Sequence, residues 1–152
     1  VAHGLASSSA RSIAILNRTA SSAEELASRL GERFEGTSME TGSFPADLDR
    51  LRDADLVVNC TPMGKEGFDA DLEYDDLPLR QGQVIYDLVY APGRTPLMER
   101  AHACGATALG GLGMLVHQGA LSFEIWTGLR APLDVMRSAA HNGLQETSCR
   151  RG

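Results

Sequence analysis

Short apolar runs alternate with stretches of helical periodicity along the whole chain, and that alternation leaves few folds open. Ile13-Ala14-Ile15-Leu16, Leu56-Val57-Val58 and Val84-Ile85-Tyr86 are too short for helices and suit strands buried within a sheet. Helical patterns fill the gaps between them. Strand, helix, strand in repetition is the signature of an α/β fold with a parallel sheet. At 152 residues the chain fits one domain large enough for a real core.

The punctuation between these runs gives the expected boundaries. Val1 to Leu5 reads as the last turns of a helix, with no initiator Met and no strand before it, as in a chain cut within a domain. Ser22-Ala23-Glu24-Glu25 reads as a capping box for a helix whose apolar face is Leu26 and Leu30, with Gly31 as C-cap. A weak strand is expected over 33–37. Pro45 suits the first turn of a short helix over 45–52, and the acids of 69–76 suit a solvated loop or short helix. Thr95-Pro96 begins a helix that runs to Gly105, before a small last strand over 106–109. Gly110-Gly111-Leu112-Gly113 opens a long helix ending near Gly128, and Pro132 starts the final one. Fraying is expected from Asn142, so 1–141 is the expected folded part and 142–152 a disordered tail.

Composition narrows the function classes. A net charge of −6 offers no basic stripe to displace counterions from phosphates, which argues against nucleic-acid partners. Cys60, Cys104 and Cys149 are odd in number with no C-x-x-C pair, and the four histidines are dispersed. Neither a disulfide framework nor a metal site is expected, and the natural compartment is a reducing cytoplasm. The most apolar stretch, 112–126, carries His117, Gln118 and Glu124, so no membrane span or signal peptide is expected.

In open parallel sheets, ligands sit beyond the carboxyl ends of the strands. Four distinctive segments hold that position: 17–19, 59–64, 87–90 and 110–114. Asn17-Arg18-Thr19 follows the first strand at the place where dinucleotide-binding folds carry an acid for the ribose 2′-OH of NAD. Here an arginine stands instead. A guanidinium suits a 2′-phosphate through charge-assisted hydrogen bonds and stacks on adenine, which points to NADP. A surface arginine after a strand is the bland alternative.

The other segments carry two readings each. Thr61-Pro62-Met63-Gly64 offers a hydroxyl and a glycine for close backbone approach, or is an ordinary Pro-Gly turn. Tyr90 presents a hydroxyl to a polar substrate or packs on the sheet edge, while Asp87 orients nearby loop amides. The glycines at 110, 111 and 113 give an anion-binding helix N-terminus or tight helix–strand packing. Met114, Gln118, Leu121 and Ile125 share one helical face, so Gln118 is expected to point with core residues, toward a hydroxylated ligand or a loop. His117 is one position off that face and reads as a solvated or edge histidine. Lys65, the single lysine, has no sequence neighbour to lower its pKa and is rejected as a catalytic base.

In order, Asn17-Arg18-Thr19, Asn59-Cys60-Thr61-Pro62-Met63-Gly64, Tyr86-Asp87-Leu88-Val89-Tyr90, Arg94-Thr95-Pro96-Leu97 and Gly111-Leu112-Gly113-Met114-Leu115-Val116-His117-Gln118-Gly119-Ala120 closely resemble the C-terminal nucleotide-binding domain of shikimate dehydrogenases. The resemblance covers roughly 1–140. It implies a Rossmann-like, doubly wound, mostly parallel sheet, incomplete at its N-terminus, and reversible NADP-dependent reduction of 3-dehydroshikimate to shikimate in aromatic amino-acid biosynthesis. It assigns Asn17, Arg18 and Thr19 to the 2′-phosphate end of NADP. Thr61, Met63, Leu88, Gly111 and Met114 line the path to the nicotinamide, and Tyr90 and Gln118 reach the substrate.

Departures from the family pattern are specific. The strand and Gly-rich phosphate loop expected before Val1 are absent, as is the substrate domain with its catalytic Lys–Asp pair. No catalytic residue and no metal ligand is therefore assigned in this chain, and the chain alone is expected to be inactive. Ser22 replaces a second basic residue common after Asn-Arg-Thr, and Gly110 stands where an aspartate is common. Quinate or mixed quinate/shikimate specificity, or a non-catalytic nucleotide-binding or interaction module, are the rival functions. A homodimer is left open.

Overall fold

The computed structural model describes residues 1–64, 72–91 and 93–149, with side chains up to residue 146. Lys65 and the acids at 69–71 lie outside the described residues. The chain forms two compact units, Val1–Asp53 and Ala54–Gly152. All strand pairings are parallel, in a two-stranded sheet in the first unit and a three-stranded sheet in the second.

In the first unit, α1 (Ala2–Ser7) precedes β1 (Ser12–Asn17), α2 (Ala20–Gly31), β2 (Ser38–Ser43) and a 3-10 helix at Leu48–Asp53. Ile13 of β1 is buried, and β1 pairs with β2 from Ser12↔Ser38 to Asn17↔Ser43. Helix α2 starts two residues before the expected capping box. Asn17 Oδ1 accepts the Thr19 amide at 3.0 Å, an Asx turn that directs the chain into the helix early and leaves Ser22 inside it. The buried face of α2 is Ala23, Ala27 and Leu30, whereas Leu26 is exposed. Small alanines let the helix lie close to the strands it packs on. Gly31 is still helical, with Glu32 as the cap in ordinary right-handed conformation.

The weak strand expected at 33–37 is a turn, and the strand lies five residues on, in the polar sequence Ser38-Met39-Glu40-Thr41-Gly42-Ser43. Pairing with β1 supplies what its own composition lacks. Gly42 sits opposite Leu16, and a Cβ there would fall 2.6 Å from Leu16 Cδ2. Pro45 precedes the 3-10 helix in a turn rather than opening an α-helix.

The second unit contains β3 (Leu56–Asn59), a short 3-10 turn (Tyr74–Asp76), β4 (Val84–Asp87), α3 (Pro96–Ala103), β5 (Thr107–Gly110), α4 (Leu112–Thr127) and α5 (Leu133–Cys149). The strand order is β3-β4-β5, which makes β4 central. Alternation along a strand puts Gln83, Ile85 and Asp87 on one side, and all three are fully buried. Gln83 meets its polar needs at the amino end: its Oε1 accepts the Arg80 amide at 2.7 Å and its Nε2 donates to the Ala54 carbonyl at 2.6 Å.

Helix α3 begins as its sequence predicts, with Thr95 accepting the Met98 amide at 3.3 Å and Pro96 in the first turn. Leu97 and Ala101 face inward, and Arg100 reaches back to the Leu77 carbonyl at 2.9 Å. Helix α4 ends at Gly128, which takes the left-handed conformation at φ 69°. Helix α5 packs on α4 and continues through 142–149, where the sequence predicts a frayed tail. Leu144, Gln145 and Glu146 are good helix formers, and Gly143 alone does not stop a helix already propagating.

The backbone of Leu88 lies against the start of α4. A Cβ on Gly111 would sit 2.5 Å from the Leu88 carbonyl oxygen and 2.9 Å from its Cα. No side chain fits there. Gly111→Ala should therefore lower stability by about 1–3 kcal/mol, because two backbone segments have to separate. Ile85→Ala, which empties a fully buried site on the central strand, should cost about 2–5 kcal/mol. Urea unfolding followed by circular dichroism measures both, and wild-type midpoints would contradict this packing.

Candidate functional site

Each of the four ligand-edge segments follows the carboxyl end of a strand: 17–19 after β1, 59–64 after β3, 87–90 after β4 and 110–114 after β5. The last three share the carboxyl edge of the β3-β4-β5 sheet. The first belongs to the other compact unit.

At the end of β1, Asn17 holds the turn at both levels. Its side chain accepts the Thr19 amide, and its carbonyl accepts the Phe44 amide at 3.0 Å. Arg18 is exposed, and among the described residues no carboxylate pairs with it. Thr19 is the N-cap of α2 in extended conformation, and its hydroxyl does not cap the helix. The first turn of α2 carries no acid. Free amides, the positive helix end and an unneutralised guanidinium thus combine at one strand terminus. Ser22, in the same first turn, adds no charge.

The loop after β3 is shaped by its own hydrogen bonds. Asn59 Oδ1 accepts from both the Thr61 amide at 3.0 Å and the Thr61 hydroxyl at 2.6 Å. Thr61 Oγ1 in turn accepts the Met63 amide at 3.2 Å. The single hydroxyl proton of Thr61 is thereby committed within the loop. Only a lone pair and the backbone remain for a ligand. Met63 is buried, at 5% exposure, so it supports the loop from beneath. Gly64 takes φ 88°, a left-handed turn that suits glycine. Cys60 is exposed, yet the protein packed around its sulfur desolvates it and raises the thiol pKa, which keeps the thiol protonated at neutral pH.

After β4, Leu88 donates its amide to the Asn59 carbonyl at 3.1 Å and is half-buried. Tyr90 is 56% exposed, so it does not pack under the sheet edge. Gly111 is the N-cap of α4, in contact with Leu88 as described. Gly110 ends β5 in register with Asp87. Met114 and Gln118 are exposed one turn apart on α4.

The face carrying Gln118 is not a core face. Leu121 and Ile125 are exposed, and Trp126 beside them is 82% exposed; the buried positions of α4 are Val116 and Ala120. The long helix is apolar nearly all round, so periodicity could not tell its inward face from its outward one. Gln118 consequently offers its amide to solvent or ligand rather than to a loop. His117 is exposed like its neighbour Gln118, so its offset from that face does not distinguish it.

Two residues of the site were quoted in motifs without a role of their own. Asn59 and Thr95 both donate to the buried carboxylate of Asp87, Asn59 at 2.9 Å to Oδ1 and Thr95 through its hydroxyl to Oδ2. The available signals were an Asn two residues before a Thr at a strand end, and a Thr-Pro helix start following an Asp. Neither says which carboxylate it will meet across the sheet.

Comparison with known proteins agrees with the parallel α/β fold. Residues 111–141 match the family described as the shikimate 5'-dehydrogenase C-terminal domain. The chain is 44% identical over 147 residues to the NADP(+) shikimate dehydrogenase of Methanopyrus kandleri, covering 91% of this chain and 49% of that protein. A crystal structure of shikimate dehydrogenase in complex with NADP+ superposes with a TM-score of 0.77 at 32% identity, covering 94% of this chain and 50% of that one. Quinate dehydrogenase from Corynebacterium glutamicum in complex with NAD matches with a TM-score of 0.80 at 27% identity, over 90% of this chain and 48% of that one. The chain thus spans about half the length of the curated relatives it matches. Motif order, parallel α/β fold and sequence identity together match the chain to the C-terminal halves of shikimate dehydrogenases.

Proposed function

We propose that the chain is the NADP-binding part of a shikimate dehydrogenase, acting in the reversible NADPH-dependent reduction of 3-dehydroshikimate to shikimate. The observation that carries this reading is Arg18. It stands unpaired among the described residues, at a strand end and beside an uncapped, acid-free helix start. A 2′-phosphate brings a near-double negative charge to that kind of site, and an NAD ribose brings none. The relatives named for NADP support the same choice.

The residues present fit the cofactor elsewhere as well. Gly111 lies so close to the Leu88 backbone that the two segments assigned to the nicotinamide end are held together. When bound, the nicotinamide supplies the hydride. Asn17, Arg18 and Thr19 would hold the adenosine 2′-phosphate. The 61–63 loop would offer backbone to the ribose and phosphates, and Leu88, Gly111 and Met114 would orient the ring and exclude water. Tyr90 and Gln118, both exposed, would donate hydrogen bonds to substrate hydroxyls or carboxylate. No acid–base role is assigned to any of these groups, so the proton step is expected from residues other than those named here. The NAD complex of the similar quinate dehydrogenase keeps quinate as a second substrate to be assayed.

Titration of the chain with NADPH and NADH tests the cofactor assignment. Arg18→Ala should cost about 1.5–3 kcal/mol of NADPH binding while NADH affinity changes much less. Equal losses for the two would remove the 2′-phosphate role. A second expectation concerns turnover. With no acid–base partner assigned, the 152-residue chain should oxidise shikimate at least about 100-fold more slowly than a full-length relative. Rates equal to the relative's would mean that a proton-transfer group has been overlooked.

A further inference from the structure

We propose that Asp87 is a positioning residue for the cofactor: without touching it, the carboxylate ties the loop after β3, the loop after β4 and the first turn of α3 into one hydrogen-bonded floor. This deepens the NADP reading and rests on it. Asp87 ends the central strand and is fully buried. Three donors converge on it from three segments. Asn59 Nδ2 and the Val89 amide reach Oδ1 at 2.9 and 3.1 Å, and the Thr95 hydroxyl reaches Oδ2. The carboxylate only accepts, which is the pattern that makes a buried anion tolerable.

Each donor passes the constraint on. The second Asn59 amide hydrogen bonds the Met63 carbonyl at 3.1 Å, while Asn59 Oδ1 holds Thr61 by its amide and hydroxyl. The main-chain carbonyl of Asn59 holds the Leu88 amide, and Leu88 packs on Gly111. Thr95, its proton given to Asp87, accepts the Met98 amide and so starts α3. Four residues assigned to the cofactor path, Thr61, Met63, Leu88 and Gly111, therefore depend on one carboxylate for their relative placement. The opposite end of β4 provides a natural contrast. Gln83 is equally buried, and its hydrogen bonds to the Arg80 amide and the Ala54 carbonyl join chain positions outside the four ligand segments.

The test uses the full 152-residue chain and four variants that are first confirmed as folded by circular dichroism. Asp87→Asn keeps the shape but turns an NH2 group toward Thr95, and Thr95→Val removes the hydroxyl while keeping its volume. Both should weaken NADPH binding about 10-fold, whereas Thr95→Ser should restore affinity to within about 2-fold. Gln83→Ala should lose stability and leave NADPH affinity near wild type. Hydrogen exchange should speed up at the Met63, Val89 and Met98 amides in Asp87→Asn. Unchanged exchange at those amides overturns the proposal, as does faster exchange with unchanged NADPH affinity, or an equal affinity loss in Gln83→Ala. If the wild-type chain binds no NADPH, the cofactor reading fails and the role of Asp87 in positioning a cofactor falls with it.

Discussion

A strand buried along one whole side has to satisfy every polar group there, and β4 has one at its carboxyl end and another on the residue that leads into it. Gln83 and Asp87 flank Ile85 in the middle of the second unit, and none of the three meets solvent. An apolar residue at either end would pack without specifying anything. A buried amide or carboxylate, in contrast, costs free energy unless particular donors and acceptors arrive at particular positions. The two ends use that demand differently. Gln83 fastens the chain segments that enter β3 and β4. Asp87 fastens the segments that leave them, and in a parallel sheet those are the segments where ligands sit.

The strands that could be read from the sequence were those whose own side chains are apolar. Ile13, Val57 and Ile85 announce β1, β3 and β4 because each is flanked by further apolar residues and bounded by turn formers. Strand β2 announces nothing, since Ser38, Glu40 and Ser43 have little reason to leave water. It exists because β1 presents an unpaired row of amides and carbonyls, and because Gly42 admits Leu16. Helix starts were legible where the cap is a side chain, as at Thr95. At α2 the deciding hydrogen bond comes from Asn17, two residues upstream of the cap, and the better-looking Ser22 box is bypassed. Helix α4 exposes the weakness of periodicity in an apolar segment. Met114, Leu121 and Ile125 form as regular a stripe as Val116 and Ala120, yet only the smaller pair is buried.

For the proposed site, residue types marked four segments that the structure places at strand ends, where a parallel α/β sheet holds its ligand loops. What the motifs did not give was the division of labour within each. Thr61 illustrates this: its hydroxyl reads as a ligand donor, but Asn59 stands two residues away and takes the proton. The same competition between local and ligand hydrogen bonds is present wherever Asn, Asp, Ser or Thr sits in a turn. Sequence spacing names the competitors, and only geometry says which one wins.

A simple separation follows from where the hydrogen bonds of these groups go. Polar side chains whose hydrogen bonds are internally consumed, Asn59, Thr61, Asp87 and Thr95, set the positions of backbone. Those left exposed, Arg18, Tyr90 and Gln118, retain donors for something else. Similar folds hold NADP+ in one solved relative and NAD in another, so backbone architecture by itself does not select between the coenzymes. Selection has to come from a group that meets the one place where the two coenzymes differ, the ribose 2′ position. A charge there acts over a few ångströms against an anion or against none, and salt bridging by a neighbouring carboxylate would cancel it. The absence of an acid in the first turn of α2 is therefore as much a part of the proposed selectivity as Arg18 itself.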